Sequence, residues 1–193
     1  MVPLTDTNSL NFTDVLERCA GGDRDAFRIV VERYQGYAFA LAFRLVNEEE
    51  EAKDIVQESF IRVWNNLRRY NPAVKFTTWL YTIVTNLCYD SIRSRKRKRT
   101  TVFDTIDLSV LDNIASAENP ERILTNRELG DVIRMLTKEL PPKQKLVFVL
   151  RDMQGLNILE VCDILQLSES SVKTNLVYAR RFLCARLEQY LKS

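Results

Sequence analysis

The sequence predicts an all-α protein built as two helical domains joined by a linker. Three observations predict it. Apolar residues recur at the 3.6-residue helical period through most of the 193-residue chain. The periodic stretches are cut by helix-stopping signals: Gly21-Gly22, Tyr70-Asn71-Pro72, Pro141-Pro142 and Gly155. Between them, Thr100 to Asn119 holds no sustained period and is rich in Asp, Ser, Thr and Asn, which marks a linker. The expected division is 11–99, linker 100–119, and 120–193. The linker's Ile106, Leu108, Val110, Leu111 and Ile114 are more apolar than a free tether requires, so it is expected to lie on a surface.

The first domain takes four helices. Residues 1 to 10 are polar and expected to fray. Phe12, Val15, Leu16 and Cys19 mark a short helix ended by Gly21-Gly22. A second helix is expected over about Asp25 to Val46, with Phe27, Val30, Val31, Tyr34, Ala38, Leu41 and Leu45 inward. Asn47 is the expected N-cap of the third, and Glu48 to Glu51 place negative charge on its first turn, where the helix dipole favours it. That helix, to about Arg69, turns Ala52, Ile55, Val56, Phe60, Val63 and Leu67 inward. Asp54, Gln57, Glu58, Ile61 and Asn65 face outward, with Trp64 at the border. An exposed Ile beside an amide and two acids suits a protein-docking surface; a solvated face with one stray apolar residue accounts for it equally well.

The fourth helix, Lys75 to Arg93, has two flanks. Phe76, Leu80, Ile83, Val84 and Leu87 form a core stripe. Lys75, Trp79, Thr82, Asn86, Tyr89 and Arg93 form the other flank, mixing rings, amides, hydroxyls and cations as a surface that stacks bases and holds phosphates must. The helix runs into Arg93, Arg95, Lys96, Arg97, Lys98 and Arg99 with no acid among them, a footprint for a polyanion. Alone, Trp79 is more often a core or rim residue, and the basic run is equally well a solvated tail or targeting signal. Their union on one helix favours nucleic acid.

In the second domain, Asn119-Pro120 starts a helix that Leu124, Leu129, Val132, Ile133, Leu136 and Leu140 carry to Pro141-Pro142. A further helix covers Lys143 to about Met153. Ile158 to Leu165 and Ser168 to about Leu191 then form a helix-turn-helix packed through Val161, Leu165, Leu167, Val172 and Leu176. Ser168 caps the last helix. Its outward Ser170, Ser171, Lys173, Thr174, Asn175, Val177, Tyr178 and Arg181 suit base edges and phosphates in a major groove.

Composition narrows the function. With 46% hydrophobic and 28% charged residues, the chain can build a core in water. Net charge is only +2, but it is segregated: acidic at 47–58, basic at 93–99, acidic again at 104–131. Cys19, Cys88, Cys162 and Cys184 are scattered in apolar helical contexts and there is no His, so no mixed zinc site is available and no cofactor is expected. No secretory or membrane-length apolar run is read, which points to a reducing cytoplasm.

Two motifs now stand in order. AKDIVQESFIRVW (Ala52 to Trp64) with FTTWLYTIVTNLCYDSIRSRKR (Phe76 to Arg97) resembles region 2 of bacterial sigma factors. LPPKQKLVFVLRDMQGLNILEVCDILQLSESSVKTNLVYARRFL (Leu140 to Leu183) resembles region 4. The short connection without a region 3 is similar to the extracytoplasmic-function group. The resemblance implies a transcription initiation factor, not an enzyme. Such a factor binds the β′ clamp helices and β flap of core RNA polymerase, reads promoter DNA, and is often held by an anti-sigma factor. It implies core docking through Asp54, Gln57, Glu58, Ile61 and Trp64. It implies −10 contacts, one with a flipped base, through Arg62, Tyr70, Asn71, Lys75, Trp79, Asn86 and Arg93. It implies −35 contacts through Ser171, Lys173, Thr174, Val177, Tyr178 and Arg181, with Arg180 and Arg181 nearer the backbone or the packing face. Gln166 stands at a turn position where the family favours Gly. Asn175 and Tyr178 replace residues that are often Arg, and one of Ile158 and Leu159 is expected to face a partner.

Two other functions are compatible in part with these features. A free-standing helix-turn-helix regulator would bind duplex tightly without polymerase. A recombinase or nuclease would need a nucleophile with a base, or carboxylates around a metal, and the acids here are spread over surfaces.

Overall fold

The computed structural model describes residues 12–102 and 126–192, with the side chains of 96–102 and 126–128 left aside. Helix α1 covers Phe12–Ala20, α2 Arg24–Val46, α3 Glu49–Asn66 and α4 Phe76–Val102. A 3-10 turn at Leu67–Arg69 follows α3. Helix α5 covers Asn126–Leu136, α6 Pro142–Phe148, α7 Ile158–Leu165 and α8 Glu169–Lys192. A 3-10 turn at Thr137–Glu139 precedes α6, and a single π turn at Val149–Met153 continues it. Among the described residues there is no strand. The expected start at Asn119-Pro120 lies outside the described residues.

Local chemistry sets the boundaries. Asp23 caps α2, its carboxylate accepting from the N–H groups of Asp25 (2.9 Å) and Ala26 (3.0 Å) while Arg18 holds its other oxygen. Asn47 is not the N-cap of α3. It ends α2 in the left-handed region (φ 57°), which Asn tolerates better than most residues. Glu48 caps α3 instead, accepting from the N–H groups of Glu50 and Glu51. Helix α4 continues to Val102, so the expected linker start at Thr100 falls inside a helix. Asn157 and Glu160 form a capping box at α7, each side chain bonding the other's N–H (2.9 and 3.0 Å). Gln166 takes φ 52° at the helix-turn-helix turn, and its side-chain amide donates to the Asp163 carbonyl at 2.7 Å.

Helices α1–α4 form the first bundle. Its interior is Val15, Cys19, Ala26, Val30, Tyr34, Ala38, Leu41, Leu45, Ala52, Ile55, Phe60, Val63, Leu80 and Val84. Three expected core residues, Phe27, Val31 and Val56, are only partly buried and line a surface groove instead. In the second bundle, Val161 and Val172 are fully buried across the α7–α8 turn. Burial of each contributes roughly 1.5–3 kcal/mol, enough to hold the two helices at their crossing. Val132, Leu136, Leu140, Ala179 and Leu183 close a smaller cluster where α5 meets α8.

The two bundles are not separate. One core cluster runs from α1 through α4 into α6, α7 and α8. The buried flank of α4 is therefore shifted from its expected core stripe: Thr78, Tyr81, Thr85 and Cys88 are buried with Phe76, Leu80 and Val84, while Ile83 and Leu87 are only partly buried. Two layers cover this helix, α2 and α3 on one side and α6 and α7 on the other. Polar contacts seal the seam. Lys75 Nζ donates to Glu160 Oε1 at 2.8 Å. Arg44 donates to the Met153 carbonyl at 3.1 Å, and the Arg134 guanidinium lies 5.3 Å from the Phe43 ring centre.

Candidate nucleic-acid and protein interface

The loop between α3 and α4 is prebuilt. Tyr70 Oη donates to the Val74 carbonyl at 2.5 Å, and Asn71 Oδ1 accepts from the Ala73 N–H at 3.0 Å. These bonds hold the Tyr70 ring against Trp79, with centroids 5.0 Å apart. Phe76 touches both rings at 5.8 Å and joins them to Tyr34 (4.9 Å) and Phe12 (5.4 Å). The Arg33 guanidinium lies 5.0 Å from the Phe12 ring centre and 5.6 Å from that of Tyr34. The result is one aromatic cluster with a cation on its far side. Beside it lies an open cavity of about 420 Å³, walled by Phe12, Tyr34, Tyr70, Phe76 and the exposed Lys75 and Pro72.

Trp79 is half-buried with its ring in this cluster, and Asn86 and Arg93 are exposed farther along α4. Tyr70 is half-buried, and Asn71 and Lys75 are exposed. Arg62 is exposed but lies on α3, its Nε donating to Glu58 at 2.8 Å. Sequence reading missed Phe12, Tyr34 and Arg33. Phe76 lies in the core stripe, as its spacing predicts, and its edge also completes the cluster.

A second surface forms between α2 and α3. Gln57 and Asp54 are exposed, Ile61 is 49% exposed, Glu58 is half-buried, and Trp64 packs on Phe27 at 4.9 Å. Gln57, Ile61 and Trp64 border a groove of about 760 Å³ whose other wall is Phe27, Val31 and Phe39 of α2. The α2 wall is invisible to a reading of α3 alone. Its signal is a second apolar ridge on α2: Phe27 and Val31 fall on the expected inner face, and Phe39 lies outside that set.

The third surface is the outer flank of α8. Lys173, Thr174, Val177, Tyr178 and Arg181 are exposed, Tyr178 at 54%. Ser171 is half-buried and its hydroxyl faces the amide of Asn175, which also donates to the Ser171 carbonyl at 2.8 Å. Lys173 pairs with Glu169 at 2.7 Å, which raises its pKa. Arg180 points elsewhere: its guanidinium grips Asp152 through two bonds of 2.8 and 2.7 Å, clamping α8 to the turn after α6. Of the two apolar residues that open α7, Leu159 is 62% exposed while Ile158 packs into the core.

Electrostatics single out the seam. Glu160 caps α7 and receives Lys75, so the lysine's hydrogen bond, then that of the Asn157 N–H, holds its carboxyl below the usual range. Lys145 is 6% exposed. Burial, then repulsion from Arg95 and Lys138, brings its ammonium from 10.5 down to about 8. The folded protein thus holds fewer protons than the unfolded chain between pH 8 and 10.5. The cost of charging Lys145 is present in full below pH 8 and is relieved as pH rises toward 10.5. Lys145→Met is accordingly expected to melt several degrees above the parent at pH 7, with the gap closing toward pH 10.5. Paired thermal melts across that range check it.

Of the cysteines, Cys19 and Cys88 are buried, Cys162 is half-buried and Cys184 is exposed. The apolar context expected for all four therefore fails at Cys184, which lies on the solvent side of α8. Burial pushes the Cys88 thiol up to about 12, so it is an inert packing group. Among the described residues no group of acids, cysteines or histidines is placed to hold a metal, and no helix is long and apolar enough to cross a membrane.

Comparison with known proteins agrees with this layout. Sigma-70 region 2 matches residues 30–98 and Sigma-70, region 4 matches residues 131–183. The chain is 35% identical over 170 residues to the ECF RNA polymerase sigma factor SigW of Bacillus subtilis, covering 86% of this chain and 91% of that protein. It is 26% identical to the RNA polymerase sigma-H factor of Pseudomonas aeruginosa over 92% of this chain and 94% of that one. In fold it is similar to CnrH in complex with the cytosolic domain of CnrY (TM-score 0.63, 24% identity, 91% of this chain and 96% of that one). It is similar also to RpoE in complex with the anti-sigma factor NepR from Bartonella quintana (TM-score 0.64, 19% identity, 84% and 96%).

Proposed function

The chain belongs to the extracytoplasmic-function group of RNA polymerase sigma factors, which are transcription initiation factors and not enzymes, and from that premise we propose how its three surfaces divide the work. The aromatic cluster at Tyr70 and Trp79 receives melted −10 DNA, and Arg62, Asn71, Lys75, Asn86 and Arg93 follow its strand. The α2–α3 groove bordered by Gln57, Ile61 and Trp64, with Asp54 and Glu58 beside it, docks on the β′ clamp helices of core polymerase. Helix α8 reads the −35 element through Ser171, Lys173, Thr174, Val177, Tyr178 and Arg181, while its domain meets the β flap. The observation that carries this reading is the coupled pair Tyr70 and Trp79. Their rings are fixed against one another at the surface by a tied loop. A base leaving its stack costs a few kcal/mol, and each aromatic platform returns roughly 1–3 kcal/mol. Opening therefore draws on binding energy and needs no nucleotide hydrolysis. The site of action is the cytoplasm, where the polymerase is.

The closed arrangement of the bundles is incompatible with promoter binding. Elements named −10 and −35 lie roughly 80 Å apart along B-DNA at 3.4 Å per base pair. Lys75 and Glu160 touch, and α8 starts shortly after Glu160. A 24-residue helix is only about 36 Å long, so the seam must part before both elements are held. Core polymerase supplies that separation, and the linker keeps the second contact at high effective concentration. A factor of this kind is also a target for an anti-sigma protein, in keeping with the partner in the RpoE–NepR structure. The competing regulator reading predicts tight duplex binding by the free protein. A mobility-shift titration with and without core polymerase separates them: sequence-specific binding by the protein alone overturns the sigma reading.

Lys173→Ala with Tyr178→Ala tests the −35 surface. Each lost base contact is worth about 1–3 kcal/mol, so transcription from a −35-dependent promoter is expected to fall at least tenfold in a reconstituted assay. Co-purification with core polymerase stays unchanged, because neither side chain supports the fold. Equal loss of both functions would show misfolding instead.

A further inference from the structure

The seam between the bundles contains a polar recess that none of the three surfaces explains. It is open, about 580 Å³ in volume, and bounded by the end of α2, by Ile92 and Arg95 of α4, and by the segment from Lys138 to Lys145. Lys145 lines it at 6% exposure, without a hydrogen bond or ion pair among the described residues. Lys138 lines it too and likewise has no ion pair there. Asn47, at the end of α2, has both its amide nitrogen and its amide oxygen buried and unpartnered.

The acids at this recess are already engaged. Glu139 pairs with Arg186 at 3.0 Å, Glu48 caps α3, and Glu51 pairs with Arg95 and accepts from Ser91. Both ammonium groups thus stand without an ion pair beside an unsatisfied amide, and with Glu48 still charged on the wall the recess keeps a net positive charge. A buried cation without a counter-charge is costly and is retained only where something offsets it.

We propose that this recess is a binding site for a small phosphate-bearing anion, held by Lys145 and Lys138, with Asn47 Nδ2 as a neutral donor and Arg95 at the rim. Charge selects the class. A phosphate dianion matches two free ammonium groups, and its several acceptor oxygens can serve the amide at the same time. Leu45, Ile92, Leu140 and Pro141 offer an apolar wall for the body of a phosphate ester. The site is built from both bundles, so bound anion favours the closed seam and opposes promoter binding. It requires neither DNA nor polymerase, and stands or falls apart from the roles assigned above.

The test is calorimetric titration of the full chain in chloride buffer with inorganic phosphate and, separately, with adenosine monophosphate. The Lys145 side chain is followed by NMR of labelled lysine. Saturable binding is expected, weakened about tenfold or more in Lys145→Met, with the Lys145 ammonium pKa moving up on binding. The two ligands separate the sources: tighter binding of the ester shows use of the apolar wall, equal binding shows recognition of phosphate alone, and both support the site. Lys138→Gln, at an exposed position, gives the same reading should Lys145→Met fail to fold. Affinities within twofold of the parent in the folded variant, or a Lys145 signal unmoved at saturation, overturn the proposal.

Discussion

Gln57→Ala combined with Ile61→Ala is expected to weaken association with core polymerase by roughly 30-fold or more. Well-placed interface side chains cost about 1–2 kcal/mol each on truncation, and the two flank one apolar groove where their losses combine. Ile61 is 49% exposed in the free protein, so its removal leaves no cavity in the bundle. The melting temperature should therefore stay within a few degrees of the parent. Fluorescence anisotropy of labelled protein against core enzyme measures the affinity. Undiminished binding would move the docking surface away from α3. Phe39→Ala, on the α2 wall of the same groove, provides the control for the groove as a whole. It is expected to weaken core binding too, although nothing in the α3 motif points to it.

Trp79→Ala is expected to lower open-complex formation about 10- to 100-fold while leaving core binding and −35 contact intact. The ring lies in the cluster of Tyr70 and Phe76 and is only partly buried, so its loss removes a stacking platform worth roughly 1–3 kcal/mol. Permanganate reactivity of unpaired thymines in the −10 region reads the defect directly. A pre-melted promoter should restore most of the activity, since the unstacking cost is then already met. Failure of that rescue would place Trp79 in folding and not in strand capture. Tyr70→Phe separates the ring from the loop: it keeps the stack but removes the 2.5 Å bond to the Val74 carbonyl. Its defect should be smaller and should grow with temperature as the loop loosens.

Much of the architecture was legible because helices announce themselves locally. The stops at Gly22 and Gly155 correspond to positive φ, and Ser168 accepts from the Ser171 N–H at the start of α8. The two-flank reading of α4 leaves Asn86 and Arg93 exposed and Trp79 half-buried, and its core stripe is only partly buried at Ile83 and Leu87. It fell short at Thr78, Tyr81, Thr85 and Cys88, which lie between the flanks and are buried because α4 is covered from two sides. At Asn47 two local rules competed. Asn both caps helix starts and tolerates the left-handed end of a helix, and with Glu48 able to cap α3 the second won. The recess lysine gave no sign at all: Lys145 looks like any cation in the first turns of a short helix.

From the sequence alone come the helices, the Ser168 cap, the basic run after Arg93 and the two motifs that place the chain among sigma factors, because periodicity and capping are properties of neighbours in the chain. The tertiary structure decided what covers each face. It brought Phe12 and Tyr34 to the Tyr70–Trp79 pair, gave the outer face of α3 its α2 wall, and closed α6 and α7 over α4, burying Lys145 of α6. A helical period reports that a face is hidden but carries no information about the partner that hides it. Contacts such as Lys75 with Glu160, 85 positions apart, leave no mark on either local stretch.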